Sequence, residues 1–426
     1  MELPSLQLHR QLFPPSRRPD PAGAVAAELA RTGLIEAVRP GQRVLVTAGS
    51  RGIECMAEVL AGLVAALKAR GAQPVIFPAM GSHGAGTAQG QAEVLEHMGI
   101  TEAGIGAPIH RELEMVQVAT VHDGVPVDVD RAVAEADHVL IVNRVKEHTE
   151  YIGVTESGLL KMTVVGLGRH LGALTMHQLA VRISYQKAIS AIAQAIYAHT
   201  KVLGGVAILE DHHNRLRRLE AMPVAAILAR EPELLRESQA HKPTLPFADL
   251  DILLVDEIGK DISGAGFDTK VIGRIMNIYE EECASPRILR VIARDLTAKT
   301  DGNATGVGLA DFITQRAFAK IDQARTTFNC ITAAAPEKAR IPAVLASDRD
   351  AVQAALDTIG LWSPQNLRLA WIINTKDLEY LALSPALAAE AAGMADLEPA
   401  GGPFALSFDA DGACPWLRGL LPGQLP

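Results

Sequence analysis

Residues 43–52 read Arg-Val-Leu-Val-Thr-Ala-Gly-Ser-Arg-Gly, and an alanine- and leucine-rich stretch follows them as far as Gly71. A short run of apolar, mostly β-branched residues bounded by glycine predicts a buried strand, here Arg43–Thr47. The stretch after it has the periodicity of a helix. Strand, glycine-bearing turn and helix in that order point to an α/β fold, in which such a turn presents backbone N–H groups to an anion. Within the turn, Ser50 is placed to cap the helix and Arg51 to pair with a phosphate or carboxylate. The plainer reading is a helix cap beside a surface arginine.

The same alternation runs outward from this point. Pro74–Pro78 (PVIFP) and Asp137–Val142 (DHVLIV) are further strands. Between them lie a helix from about Thr87 to Met98 and a hairpin around Asp123-Gly124. Helical periodicity also covers Ala24–Val38, Ser184–His199, Glu231–Ala240 (read as exposed), Gly308–Ile321, Ala351–Ile359 and residues 385–393. Strands are expected at Leu203–Leu209, Val224–Leu228, Leu250–Val255, Ile288–Ala293 and Leu367–Asn374. Residues 1–23 read as an arm lying on the body. With 426 residues, two α/β domains are the default. The proline-bearing segment His241–Pro246 suggests 1–245 and 246–426.

Composition narrows the function. A net charge of −9 argues against a broad nucleic-acid or anionic-membrane surface. Aromatic residues make up only 4%, too few for stacking on single-stranded nucleic acid. The N-terminal segment has no long apolar run and no window approaches the length of a membrane span, so a soluble protein is expected. Cys55, Cys283, Cys330 and Cys414 are scattered and form no C-x-x-C pair, which suits a reducing cytoplasm.

Polar residues with reactive side chains gather where this chain should turn. Met80-Gly81-Ser82-His83-Gly84-Ala85-Gly86 follows a strand, which puts His83 where open α/β sheets bind ligands. His148 follows the next predicted strand in the same way. Asn143–His177 contains His148, His170, His177, five glycines, and Lys161 in apolar company. Imidazoles and an ammonium are costly to bury without partners. Lys161 is either a lysine whose stem lies on apolar surface while its amine reaches water, or a desolvated amine able to act as a nucleophile. His170 and His177, seven apart on one helix, would share a face two turns apart. A further glycine-bearing loop, Ser263–Thr269, comes shortly after Lys260. There is no Walker loop and no H-E-x-x-H.

Together, Gly81-Ser82-His83, the segment from His148 through Gly158 to Lys161, and the histidine sixteen positions after that lysine resemble the nickel-pincer lactate racemase family. The resemblance spans most of the chain and is strongest from Val44 to His177. It implies two α/β domains with the active site in the cleft between them. It also implies a nickel ion in a pyridinium-3-thioamide-5-thiocarboxylate mononucleotide, joined through a thioamide to Lys161. His177 would ligate the nickel, with His170 as the second candidate. His83 and His148 would be the acid and base, and Ser50, Arg51 and Lys260 would hold the cofactor phosphate or a carboxylate. The implied reaction inverts the hydroxyl-bearing carbon of a 2-hydroxy acid. One histidine takes the hydroxyl proton while the cofactor takes hydride, and return to the other face inverts the centre. Partners would be the small hydroxy acid and the enzymes that make the cofactor, with self-assembly into a homo-oligomer left open.

The chain departs from the family pattern at two places. Ala48-Gly49-Ser50-Arg51 stands where the racemases carry Asp-x-Thr-Arg. The segment from His148 to Lys161 is also longer and contains Glu150 and Glu156. Both changes fall on the substrate side, and a larger or more polar hydroxy acid or sugar acid than lactate is expected. Two other classes fit the bare residues. One is a zinc-dependent hydrolase or lyase built on His83, His148 and His170 or His177. The other is a non-catalytic cofactor-binding protein.

Overall fold

The computed structural model describes residues 3–49, 52–81 and 83–423. The chain forms two compact units. One comprises Met1–Pro15, Thr149–Tyr151 and Pro243–Pro426; the other comprises Ser16–His148 and Ile152–Lys242. Both are α/β, and among the described residues no helix is long and apolar enough to cross a membrane.

The unit of residues 16–148 and 152–242 is built on a five-stranded sheet. Its order is Gln73–Pro78, Arg43–Ala48, His138–Arg144, Val202–Glu210, Leu216–Pro223. The first four strands are parallel and the last is antiparallel. Val44, Leu45 and Val46 are completely buried, as expected of a parallel strand covered on both faces. Helix Pro21–Thr32 shows how local chemistry sets its ends. Asp20 accepts from the Gly23 N–H at 2.7 Å, and Gly33 closes the helix at φ +61°, a left-handed conformation that glycine adopts without steric cost.

From strand 43–48 the chain moves to strand 73–78 on one side, while strand 138–144 lies on the other. The order therefore reverses between 43–48 and 138–144. The carboxyl ends of strands at such a reversal are where open α/β sheets open a crevice.

The other unit carries an eight-stranded sheet. Ala343–Leu345, Phe312–Thr314, Arg287–Leu296, Asp249–Ile258 and Leu369–Ile372 run parallel; Tyr380–Leu383, Ser5–Gln11 and Leu397–Ala405 follow as antiparallel neighbours. The expected arm at residues 1–23 thus contains a strand, Ser5–Gln11, hydrogen-bonded on both sides. This ladder groups residues 1–15 with 243–426 and not with the rest of 1–245.

Three local expectations are overturned. Val224–Leu228 is the first part of helix Val224–Ala240, and the strand is the preceding Leu216–Pro223. A short apolar run has no period that separates strand from helix, and the charges of LRRLEAMP hid the true strand. Helix 224–240 is also less exposed than read, since Ile227, Glu231, Leu234 and Leu235 are buried. Gly308–Ile321 is no continuous helix: strand Phe312–Thr314 lies within it, before the short helix Gln315–Ala319.

Candidate functional site

Three strands of the first sheet deliver their following loops to one edge. Strand 43–48 leads to Gly49; Ser50 and Arg51 lie outside the described residues. Strand 73–78 leads through Gly81 to a 3-10 turn, His83–Gly86. Strand 138–144 leads to His148. The two central strands are locked by Thr47, whose Oγ1 accepts from the Val142 N–H at 2.8 Å. Asn143 Nδ2 donates to the Gly158 carbonyl at 2.9 Å, which holds the start of the Lys161 segment at the end of strand 138–144. A Cβ on Gly49 would meet Met162 Cε at 3.0 Å, so this glycine allows the 43–48 loop to lie against that segment.

The loop bearing His148 is closed at its base. Lys146 and Ser157 exchange both backbone hydrogen bonds, at 2.8 and 3.0 Å. Inside it, buried Glu156 accepts from the His148 N–H at 2.5 Å and from the Gly153 N–H at 3.2 Å. Gln186 holds Thr155 from helix Tyr185–His199 through two hydrogen bonds. Glu150 belongs with the other unit, where it meets the buried Lys338 ammonium at 2.5 Å. The two carboxylates expected on the substrate side are therefore both engaged within the protein, one shaping the loop and one in a buried ion pair.

Helix Arg169–Ile183 carries His170 and His177. The His148 ring centroid lies 5.7 Å from that of Tyr185, and the His177 centroid lies 5.8 Å from it. Tyr185 is fully buried and brings the two histidines to one aromatic ring. His170 sits two turns earlier. Its Nδ1 is buried without a hydrogen-bond partner among the described residues. A Cβ on Gly86 would lie 3.8 Å from His170 Cβ and Cγ. The turn bearing His83 thus meets the helix at His170, whereas His148 shares Tyr185 with His177. His83 and His148 belong to the same unit.

Lys161 ends the short helix Leu159–Lys161, is partly buried, and runs directly into a π-helical turn, Met162–Gly166. Such turns often occur at functional sites. The Leu159 and Leu160 N–H groups donate to Glu231 Oε2 at 2.6 and 3.1 Å. Glu231 comes from helix 224–240 and is completely buried. Burial pushes its carboxyl up to about 7, against the lowering effect of these two N–H donors. Thr163 Oγ1 donates to the Leu159 carbonyl at 2.9 Å and is hydrogen-bonded to the Tyr197 hydroxyl at 2.9 Å.

Arg169 anchors the far end of this segment. It adopts φ +52° and is 1% exposed. Its guanidinium pairs with Asp130 at 3.1 Å, donates to the Pro78 carbonyl at 2.6 Å and to Gln91 Oε1, and lies 4.2 Å over the Phe77 ring. Gln91 Nε2 in turn donates to the Met80 and Gly81 carbonyls at 3.1 and 2.9 Å. One network therefore fixes both the residue before His170 and the backbone leading to His83. The sequence reading missed Arg169, Glu231, Tyr185 and Gln91. A charged residue inside GLGRHLG was the only signal available for the first.

Lys260 lies in the unit of residues 243–426, after strand Asp249–Ile258, and its N–H donates to Thr300 Oγ1 at 3.0 Å. Among the described residues no three His, Cys, Asp or Glu side chains are grouped as a metal site, so the three-histidine zinc reading has no assembled ligand set there. The residues do fit the implied pincer cofactor in their chemistry. They offer one partly buried amine, Lys161, and, on helix Arg169–Ile183, the imidazoles of His177 and His170, the latter with a buried nitrogen that has no hydrogen-bond partner among the described residues. Imidazole nitrogen is a suitable donor for nickel.

Residues 45–229 match the model of a family described as a domain of unknown function, DUF362. No curated protein matches the sequence. Among solved structures, the chain is similar to the lactate racemase apoprotein from Thermoanaerobacterium thermosaccharolyticum, at 11% identity and a TM-score of 0.46 over 85% of this chain and 84% of that one.

Proposed function

We propose that this protein is an isomerase, a racemase or epimerase that inverts the hydroxyl-bearing carbon of a 2-hydroxy acid or sugar acid with a nickel-pincer nucleotide. It would work in the cytoplasm beside the enzymes that make the cofactor. The observation that carries this reading is the meeting of His148 and His177 on Tyr185, in the unit that also holds Lys161 and His170. The motif resemblance supplies the reaction class.

In this reading Lys161 holds the cofactor covalently and His177, sixteen positions later, offers nitrogen to nickel. When bound, the cofactor would supply a hydride acceptor and donor. The chain's own residues handle the protons. His148 is fixed through its backbone N–H on Glu156, so its imidazole is presented by a closed loop. Imidazole exchanges protons near neutral pH, which suits taking the hydroxyl proton on one face of the substrate and returning one on the other. His83 is the second acid/base group. Ser50 and Arg51 would hold the cofactor phosphate or the substrate carboxylate, the guanidinium in bidentate fashion. With Glu150 and Glu156 engaged elsewhere, the replacement of the family aspartate by Ala48 becomes the main source of altered substrate choice.

The test is protein produced with the cofactor-synthesis enzymes. Intact mass should show an adduct on Lys161, with nickel bound, and both should be lost in Lys161→Ala. His148→Ala and His83→Ala should each keep the adduct and lose ~10²–10⁴-fold in turnover across a hydroxy-acid panel. His177→Ala should lose nickel while keeping the adduct; loss in His170→Ala instead would move the ligand to the imidazole with the buried unpartnered nitrogen. Wild-type protein with neither adduct nor nickel would sink the reading.

A further inference from the structure

We propose that Glu231 is the positioning residue for Lys161, a carboxyl delivered from a distant helix to cap the turn on which the lysine stands. The proposal rests on the reading of Lys161 as the residue that holds the cofactor.

The local sequence supplies no cap of its own for the turn that carries Lys161. The first N–H groups of a helix have no partner within it, and a Ser, Thr, Asp or Asn at the N-cap usually supplies one. Here the N-cap residue is Gly158, which has no side chain and makes no side-chain cap hydrogen bond. The turn is also short: Leu159–Lys161 gives way at once to the π-helical residues Met162–Gly166. A first helical turn is costly to form alone. Glu231 satisfies both exposed donors with one oxygen, at 2.6 and 3.1 Å.

Gly158 is the counterpart of this arrangement. A Cβ there would come within 2.5 Å of Glu231 Oε1 and 2.6 Å of its carboxyl carbon. Any other residue would push the carboxyl away from the amides it caps. On the other side, Asn143 Nδ2 holds the Gly158 carbonyl. The turn carrying Lys161 is thus gripped at its start from strand 138–144 and from helix 224–240, while the Thr163–Tyr197 pair holds the following turn from helix 185–199. A buried carboxyl is expensive unless it is hydrogen-bonded; here two N–H groups satisfy one oxygen, and the cap fixes the direction in which Lys161 leaves the backbone. Glu231 touches no reacting group in this account; it acts through Lys161.

The test uses the full chain and two readouts that need no substrate. One is hydrogen exchange at the Leu159 and Leu160 amides. The other is the rate at which an amine-acetylating reagent modifies Lys161, compared with Lys187 and Lys201 of the same unit. In Glu231→Ala, exchange at both amides and labelling of Lys161 should rise about tenfold, as for a lost helix cap, with the control lysines unchanged. Glu231→Gln, which keeps an accepting oxygen, should stay near wild type in both. If Glu231→Ala does not fold, Glu231→Asp, which retains the charge but shortens the reach, is read in its place. Unchanged exchange and labelling in a folded variant would overturn the proposal, as would an equal rise at all three lysines. Failure of wild-type protein to carry the Lys161 adduct would strike the cofactor reading and leave these two readouts to decide the cap on their own.

Discussion

Arg169 and Arg294 are both removed from solvent, at 1% and 0% exposure, one in each unit. Each is paired with aspartate and lies against aromatic rings. Arg294, in the middle of strand Arg287–Leu296, pairs with Asp256 and with Asp348 at 2.8 Å, and donates to the Cys414 and Pro415 carbonyls at 2.5 and 3.0 Å. Trp371 and Trp416 flank it at 5.5 and 4.7 Å. The same aspartates accept from the Leu417 and Cys414 N–H groups. This cluster fastens the C-terminal segment to the sheet. Arg169 instead has one carboxylate, the Gln91 side-chain oxygen and a left-handed backbone at the start of a helix, where a cation opposes the helix dipole. Burial lowers its basicity in spite of Asp130. Burial acts the same way on Arg294, but Asp348 and Asp256 outweigh it and its basicity ends raised. A buried arginine in a regular strand with two counter-charges is a fastening; one in a strained junction beside His170 is a device for aiming a loop.

Two substitutions can break this contrast. Arg294→Met should cost ~3–5 kcal/mol in urea denaturation, because it leaves Asp256 buried without its cation and Asp348 with Arg316 alone. Arg169→Gly should cost less, by ~1–2 kcal/mol, since glycine accepts φ +52° without the strain arginine carries there. Equal losses would mean that the backbone of Arg169 stores no strain. The smaller loss at Arg169 should be accompanied by faster exchange in the 79–86 segment, which Gln91 and Arg169 hold.

Glu231 is a third buried ionisable group, held by two N–H groups and not by a counter-charge. Gly158→Ala would drive a methyl into its carboxyl and should cost ~1–3 kcal/mol, as overpacked sites do. A neutral result would show that the carboxyl can withdraw without loss.

A further effect concerns pH. The folded-state value of Glu231 is raised to about 7 from 4.5, so the folded state holds its proton more tightly than the unfolded chain does. Its contribution to stability is full below about 4.5 and is lost as pH rises through about 7. Tyr197, the other titratable group facing it, is pushed up from 10 by burial and stays neutral through that window. Glu231→Gln should therefore gain on wild type in unfolding free energy by ~1–3 kcal/mol between pH 5 and pH 8.5. A constant difference across that range would contradict a raised carboxyl.

The strands that fix the fold were legible where they are buried. Arg43–Ala48, Gln73–Pro78, His138–Arg144 and Asp249–Ile258 are runs of branched apolar residues, and a strand covered on both faces needs little else. The hairpin at Asp123-Gly124 was legible because its turn demands that chemistry. Leu216–Pro223 was not, because its Arg217, Arg218 and Glu220 look solvated until Glu237 and Arg230 of the following helix pair with them. Ser5–Gln11 was read as an arm because its partners come from Tyr380–Leu383 and Leu397–Ala405, almost the whole chain away.

The same division runs through the site. The α/β class, and the residue types able to move protons or offer nitrogen to a metal, were legible in the amino-acid order, because apolar runs, glycine turns and imidazoles carry those properties wherever they stand. Only the tertiary structure decided that His148 and His177 share Tyr185, that Arg169 ties the His83 loop to the His170 helix, and that Glu231 caps the Lys161 turn from more than seventy positions away. Each of these depends on a hydrogen bond or ring contact between separate elements, tens of residues apart for His148–Tyr185 and Glu231–Leu159. Such contacts have no local period or composition by which a sequence could announce them.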